Sequence, residues 1–130
     1  MGNLRDIGDV PAVDVWGDTV KARAIVGEQA SLAVVELAPN AIVPEHRHVN
    51  EQIGLCITGS ITFTIEGERR ELGPGGTWRI LSNVPHDAVA GPNGAVVIDI
   101  FAPARTDWGT LPPSAPRPPA WPSRSESDQG

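Results

Sequence analysis

The sequence of 130 residues contains no tyrosine, one lysine (Lys21) and one cysteine (Cys56). The absence of tyrosine excludes this residue type as a catalytic base or nucleophile. Schiff-base chemistry would depend on Lys21 alone, which stands beside a predicted strand, so we discount it. A single cysteine cannot form an internal disulfide, and such low cysteine content favours the cytoplasm as the location of the protein.

Positive charge is also scarce, because 16 acidic residues outnumber 10 basic ones and give a net charge of -6. A nucleic-acid surface needs a basic stripe, so we expect no nucleic-acid partner. No apolar run has the roughly 20 residues of a membrane-spanning helix, and the first residues lack the pattern of a signal peptide. We therefore expect no membrane partner.

Glycine and proline are frequent, and they divide the chain into short segments rich in β-branched residues. Turn signals at Gly59-Ser60 and at residues 91–94 separate neighbouring segments, and no amphipathic helical pattern stands between them. The predicted strands cover residues 13–20, 31–37, 52–58, 61–65, 69–72, 77–81, 86–90 and 95–102. Short strands at regular spacing predict an all-β antiparallel sandwich or barrel.

The composition changes near residue 110. Six of the thirteen prolines lie from Thr110 onward, and a polar stretch at residues 123–130 follows them. Proline removes hydrogen-bond donors, so this segment cannot form a central strand. We therefore divide the chain into a β-barrel domain over residues 1–109 and a proline-rich tail over residues 110–130, which lies against the barrel surface and frays at its end.

All three histidines of the chain fall in segments that a barrel could bring together. His46 and His48 are two residues apart on extended backbone, so their side chains point to the same face. Gln52 opens the next strand, and His86 follows a later turn. Imidazole nitrogens with one oxygen donor suit a transition metal, and such a set leaves positions open for substrate. A His-x-His pair alone on a surface would carry no function, so the prediction depends on the third histidine.

The spacing His46-x-His48-x3-Gln52-x6-Gly59 resembles the first motif of the cupin superfamily, with glutamine in the acidic position. The second cupin motif is matched more loosely, at residues 83–86. The resemblance implies a cupin double-stranded β-helix, which is a jelly-roll barrel. It also implies one divalent transition metal as cofactor, with Zn, Ni, Fe and Mn as the candidates.

Four metal ligands follow from this resemblance, and two residues compete for one of the positions. The expected ligands are His46, His48, Gln52 and His86. Glu51 is the alternative to Gln52, although a shift of one residue on a strand points a side chain to the opposite face. A shell of three histidines and one glutamine is neutral, so the ion keeps its full charge toward a substrate. This favours Lewis-acid chemistry over redox chemistry.

The last predicted strand carries a carboxylate among apolar residues. Alternation places Val97, Asp99 and Phe101 on one face, and an Asp99 that faced the interior would be a candidate acid or base. The alternative is that Asp99 bonds a loop backbone at the barrel rim. Arg105 follows at the predicted mouth, where it could clamp a substrate carboxylate or pair with Asp107 on the surface.

A longer string of residues carries a narrower resemblance. It comprises His46-x-His48-x2-Glu51-Gln52, Val84-Pro85-His86, Asp99-x-Phe101-x3-Arg105 and Asp107-Trp108. This string resembles a group of single-domain cupins of pectin and alginate degradation, which linearise 4,5-unsaturated monouronates. The resemblance implies that Asp99 and Arg105 are catalytic and that Phe101 and Arg105 bind the substrate. It implies a metal-dependent, isomerase- or lyase-type enzyme that converts a small acidic substrate, the cyclic uronate, to its linear keto form.

Other functions stay open on the residues alone. The same histidines with Fe(II) and O2 would make a non-heme dioxygenase of a small organic molecule. A polyketide cyclase would need a more aromatic cavity than two phenylalanines and four tryptophans supply. A non-catalytic small-ligand-binding cupin is a further interpretation, although a bare scaffold would not need the histidine cluster. Edge strands such as residues 13–20 need covering, so we also expect a homodimer.

Overall fold

The structure, a computed structural model, describes residues 2–122 and confirms the all-β prediction. The strands are β1 (Val13–Trp16), β2 (Val20–Val26), β3 (Ser31–Leu37), β4 (Ile42–His46), β5 (Glu51–Ile65), β6 (Glu68–Leu72), β7 (Thr77–Ile80) and β8 (His86–Ala102). Two short 3-10 helices cover Ile7–Asp9 and Asp107–Thr110. Among residues 2–122 there is no helix with the length and hydropathy of a membrane span.

Two long strands, β5 and β8, hold the barrel together. The sheet order is β1-β2-β3-β8-β5-β6, β4 also pairs with β8, β7 also pairs with β5, and every pair is antiparallel. The first part of β8 pairs with β4 and the second part with β3, while β5 follows β8 along both parts. Each long strand therefore joins both walls of a jelly-roll barrel, as the sequence predicted.

Two of the predicted turns are wrong, because they are bends inside continuous strands. β5 runs through Gly59-Ser60, and β8 runs through residues 91–94. Gly59 has a φ of 77°, and a Cβ atom there would lie 2.1 Å from the carbonyl oxygen of Gly94. The two bends therefore face each other. Bulges on either side of Gly59 turn β5 while its pairing with β8 continues, so neither strand ends.

Alternation along the strands fills the barrel with apolar side chains. On β5, Gln52 and Cys56 are buried, whereas Ile53 and Leu55 are exposed on the outer face. The largest fully buried side chains are Phe101, Ile61, Ile80, Val97 and Cys56. Burial of one large apolar side chain contributes about 1.5–3 kcal/mol, so this interior is the main source of stability.

Residues 110–122, the described part of the tail, lie along the edge of β1, and we call them the strap. The Asp14 amide donates to the Pro112 carbonyl at 2.9 Å, and the Ser114 amide donates to the Ala12 carbonyl at 2.9 Å. The strap thus covers the edge of β1, which was the reason to expect a homodimer. The homodimer stays a prediction. Residues 123–130, where the sequence predicted fraying, lie outside the described residues.

A buried acidic side chain holds the far end of the strap. Glu36 of β3 accepts hydrogen bonds from the Arg117 guanidinium and from the Ala120 amide. Arg23 of β2 lies beside it, with its Nε 3.9 Å from a carboxylate oxygen of Glu36, and donates to the Arg117 carbonyl at 3.0 Å. Glu36 and Arg23 are 8% and 4% exposed, so both charges depend on these partners.

We predict that Glu36→Gln loosens the strap. The substitution removes the charge that Arg117 and Arg23 face, and loss of hydrogen bonds to a charged group costs about 1.5–3 kcal/mol. Urea unfolding should show this loss, and limited proteolysis should cut faster within residues 110–122. Glu68→Gln, on the exposed side of β6, is the matched control and should leave both measurements unchanged. Equal cutting of the two variants would contradict the role of Glu36.

Candidate active site

The three histidines meet at one end of the barrel. His46 ends β4 and pairs directly with His86, the first residue of β8, while His48 follows two residues after His46. The ring centroid of His46 lies 4.4 Å from that of His86, and the centroid of His48 lies 5.0 Å from that of His86. One ligand atom from each ring lies within 4.8 Å of the others, so the three can hold a metal ion.

Backbone carbonyls orient all three imidazole rings. The Nδ1 atoms of His46, His48 and His86 lie 2.8, 2.8 and 2.9 Å from the carbonyl oxygens of Pro44, Asn50 and Val84. Since a carbonyl only accepts, each Nδ1 carries the proton. Each Nε2 is then left with a lone pair, which is the usual arrangement of histidine ligands in metal sites.

Gln52 adds an oxygen donor to this cluster. Its amide nitrogen donates to Asp99 Oδ1 at 3.0 Å, which turns the amide oxygen, Oε1, toward His48 Nε2 at 3.2 Å. Two lone pairs therefore face each other, and the buried His86 Nε2 has no hydrogen-bond partner among the described residues. Electron-pair donors without a proton between them fit a cation, so these side chains suit a metal ion. Glu51, the alternative ligand, is exposed on the outer face.

The electrostatics of the site keep the rings in the form that binds metal. Burial lowers the pKa of His48, and the positive charge of Arg105 lowers it further. Burial lowers the pKa of His86 to about 4, despite the hydrogen bond to the Val84 carbonyl. Both rings are therefore neutral at pH 7, as metal ligands must be.

Asp99 lies inside the barrel rather than at its rim, so the interior position considered from the sequence is the observed one. It is 5% exposed, and its Oδ1 accepts from Trp78 Nε1 at 2.7 Å as well as from Gln52. Burial raises the pKa of Asp99 to about 6, although both hydrogen bonds and the charge of Arg105 lower it. Among the described residues no hydrogen bond involves Oδ2, so the protein holds the carboxylate through Oδ1 alone.

A glycine makes the Trp78–Asp99 hydrogen bond possible. On the inner face, Gly54 of β5 pairs with Trp78 of β7 on one side and with Asp99 of β8 on the other. The indole reaches across Gly54, where a Cβ atom would lie 2.0 Å from Trp78 Nε1 and 2.3 Å from Asp99 Oδ1. Sequence reasoning did not single out Trp78 and missed this hydrogen bond.

Arg105 pairs with Asp107, as one sequence interpretation expected, and its binding of a substrate carboxylate stays a prediction. Its Nε lies 3.0 Å from Asp107 Oδ1, and the side chain also lines the pocket. Its Cζ lies 5.1 Å from the ring centroid of Phe101 and 4.9 Å from that of Trp108. Although burial raises the pKa of Asp107, the hydrogen bond and charge of Arg105 outweigh this and hold the pKa below its usual value.

One pocket collects nearly all of the residues predicted for the site. Those that line it are His46, Gln52, His86, Asp99, Phe101 and Arg105. The other predicted residue, His48, contacts this set through Gln52 and through the ring of Phe101 at 5.8 Å. Sequence reasoning missed Trp16, whose ring lies 5.3 Å from His46 and closes the β1 side of the pocket. No spacing links Trp16 to the histidines, so only the folded chain reveals it.

Comparison with known proteins identifies the family to which the chain belongs. The cupin-domain family matches residues 33–101, which is more than half of the chain and includes every residue predicted to bind metal. The chain belongs to the cupin family. The sequence resemblance to cupins is thereby confirmed.

Three known proteins are similar to this cupin. The pectin degradation protein KdgF of Dickeya dadantii (strain 3937) is 34% identical over 104 residues, which cover 78% of this chain and 94% of the relative. The structure of KdgF from Halomonas sp. has a TM-score of 0.75 and 27% identity, covering 82% of this chain and 98% of the other. An RmlC-like cupin from Shewanella frigidimarina NCIMB 400 has the same TM-score and coverage of 82% and 96%, but 22% identity, and shows the fold alone.

For this cupin we predict that Gly54→Ala disrupts the buried hydrogen bonds of Asp99. The added methyl group must displace the Trp78 indole, and overpacking of this kind costs about 1–3 kcal/mol. Thermal unfolding should show the loss, and near-ultraviolet circular dichroism should show a changed tryptophan environment. Gly73→Ala is the matched control, since its Cβ atom would approach other atoms only to 4.0 Å. Wild-type stability and spectrum in Gly54→Ala would contradict the close packing.

A second prediction concerns metal binding by this cupin. His86→Ala removes one of three ligand nitrogens, so the variant should retain far less metal than the wild type after dialysis and elemental analysis. The chain has no other histidine beyond the three, which leaves no substitute imidazole. Cys56→Ala, which alters a buried thiol outside the cluster, should keep the wild-type metal content. Equal metal in the wild type and in His86→Ala would contradict the metal site.

Proposed function

We propose that this cupin is a metal-dependent enzyme that opens a 4,5-unsaturated uronate to its linear keto form. The observation that carries the proposal is the convergence of three groups in one pocket: the histidine cluster with Gln52, the buried Asp99 carboxylate, and the Arg105 guanidinium. The relationship to KdgF, a pectin degradation protein, supports a uronate as the substrate. A single small pocket with one guanidinium fits a small acidic molecule.

His46, His48, His86 and Gln52 would hold one divalent transition metal, for which Zn, Ni, Fe and Mn are the candidates. When bound, the metal supplies a Lewis acid that polarises an oxygen of the sugar acid. The protein ligands bring no net charge, because the rings are neutral and the amide is uncharged. Their own task is therefore to fix the position of the ion while leaving its charge directed at the substrate.

The reaction is an isomerisation, so no atom is gained or lost. The anomeric hydroxyl gives up its proton and becomes the aldehyde oxygen as the bond between the anomeric carbon and the ring oxygen breaks. The released ring oxygen takes up a proton, which leaves an enol. The enol then gives up its O–H proton while the neighbouring unsaturated carbon takes one up, and a ketone results. We assign the proton movement to Asp99 Oδ2, because Oδ1 is already engaged by Trp78 and Gln52.

Binding of the substrate carboxylate is assigned to Arg105. Its guanidinium lines the pocket that also contains Asp99 and the histidines, and its side chain is 12% exposed. Phe101 is 2% exposed and contacts both His48 and Arg105, so it forms the apolar floor between the proposed metal and the guanidinium. This arrangement holds the carboxylate at one end of the substrate and leaves the ring oxygens toward the histidines.

The proposal is tested by supplying the metal-loaded protein with 4,5-unsaturated galacturonate and following the ultraviolet absorbance of the ring double bond. We expect the absorbance to fall well above the spontaneous rate. Oxygen uptake is recorded in parallel on the same substrate and on other small organic acids. Oxygen consumption without accelerated loss on any uronate would contradict the proposal and favour a dioxygenase.

A variant of Asp99 tests the assignment of the proton carrier. Asp99→Asn keeps an oxygen that can accept from Trp78 and Gln52 but removes the acid–base group, so kcat should fall by about 10²–10⁴ with the metal content unchanged. Asp87→Asn, on the same strand but facing away from the barrel interior, is the matched control and should be as active as the wild type. Full activity in Asp99→Asn would contradict the assignment.

A further inference from the structure

Arg105 is held by four separate contacts, although it follows the last strand and is not part of the sheet. Its backbone amide donates to the hydroxyl of the buried Ser31 at 2.9 Å. Its guanidinium lies against the rings of Phe101 and Trp108, which are themselves in edge contact at 5.3 Å. Its Nε and Nη2 donate to Asp107 Oδ1 and Oδ2 at 3.0 and 3.2 Å. The three contacts of the side chain, with Phe101, Trp108 and Asp107, leave the guanidinium little freedom to rotate.

The pairing with Asp107 determines which part of the guanidinium a ligand can reach. A guanidinium has five N–H groups, and Asp107 takes the one on Nε and one of the two on Nη2. No hydrogen bond among the described residues uses Nη1. The edge formed by Nη1 and Nη2 is therefore the one left for a carboxylate, and it can still bind both carboxylate oxygens.

We propose that Asp107 is a positioning residue, which orients Arg105 so that the pocket accepts a single carboxylate at the Nη1–Nη2 edge. The inference rests on the proposed function, because it takes the carboxylate of a uronate as the ligand. Trp108, which follows Asp107 in the same 3-10 helix and is 8% exposed, fixes the helix against the barrel and so places the Asp107 carboxylate.

A simple charge-balancing role for Asp107 makes the opposite prediction. If Asp107 only offset the charge of Arg105, its removal would strengthen the attraction for an anion, and affinity would rise. If Asp107 positions Arg105, its removal lets the guanidinium rotate, and affinity falls despite the added positive charge. The direction of the change therefore separates the two roles.

The experiment measures binding of D-galacturonate and of D-galactose, its neutral counterpart, to the metal-loaded protein by calorimetry. Asp107→Ala should bind galacturonate about tenfold more weakly, which is the loss expected for two charge-assisted contacts, and Asp107→Asn should fall between it and the wild type. Galactose binding should not change. Glu71→Ala, which removes an exposed carboxylate on β6, is the matched control and should bind both sugars as the wild type does.

Two further measurements distinguish positioning from a loss of folding. In Asp107→Ala, KM for the unsaturated uronate should rise about tenfold while kcat stays within about twofold. In ¹⁵N spectra of the ligand-free protein, the Nε–H signal of Arg105, identified by its absence in Arg105→Lys, should be protected from exchange in the wild type and lost in Asp107→Ala.

Two results would overturn the inference, and a third would separate it from the proposed function. Unchanged or tighter galacturonate binding in both Asp107 variants, or equal affinity of the wild type for the two sugars, would overturn the inference. If the wild type opens no uronate but prefers galacturonate, and Asp107→Ala loses that preference together with the Nε–H signal, the proposed function fails while the positioning role of Asp107 stands.

Discussion

A carboxylate that is 5% exposed among apolar side chains is stable only with close partners, and Asp99 has two on the same oxygen. Trp78 and Gln52 both donate to Oδ1, and this shared acceptor determines the rest of the site. Because the carboxylate takes the amide nitrogen of Gln52, the amide oxygen must turn toward His48. The same contact leaves Oδ2 of Asp99 as the oxygen available in the pocket. Gly54 is required between Trp78 and Asp99, since any side chain there would separate the indole from the carboxylate.

The bends of the two long strands bring the remaining groups to this carboxylate. β5 and β8 pair with each other before and after the Gly59–Gly94 contact, so one continuous strand carries both His86 and Asp99. His86 pairs with His46 of β4 at one end of β8, and Asp99 pairs with Gly54 at the other. Strands that ended at those glycines would place the histidines and the carboxylate in separate hairpins. The site therefore depends on the pairing of β5 with β8, which continues through segments whose local sequence favours a turn.

The parts of the site that could be predicted from sequence are those that depend on local geometry. Side chains two residues apart on extended backbone point the same way, which predicted that His46 and His48 lie together, as they do. The same alternation placed Gln52 inside and Glu51 outside on β5, as observed. The turn signal at Gly59 misled, because pairing with β8 overrides the local preference. Trp78 could not be predicted as a donor to a carboxylate, because the two residues meet only across a third strand. Partners brought together by register between distant strands have no signature in the linear sequence.

Charge balance explains why such a pocket should favour a substrate with one negative charge. The proposed ligands are neutral, Arg105 and Asp107 cancel each other, and Asp99 contributes one negative charge when ionised. A divalent ion held by the proposed ligands, beside an ionised Asp99, would leave the pocket with one uncompensated positive charge. In a site of low dielectric that excess favours a monocarboxylate, whereas a dicarboxylate would leave a negative charge without a partner. A glutamate in place of Gln52 would already cancel the excess. In the proposed enzyme, Gln52 as a neutral ligand would therefore favour a monoanionic substrate, and the Arg105–Asp107 pair would determine where its carboxylate binds.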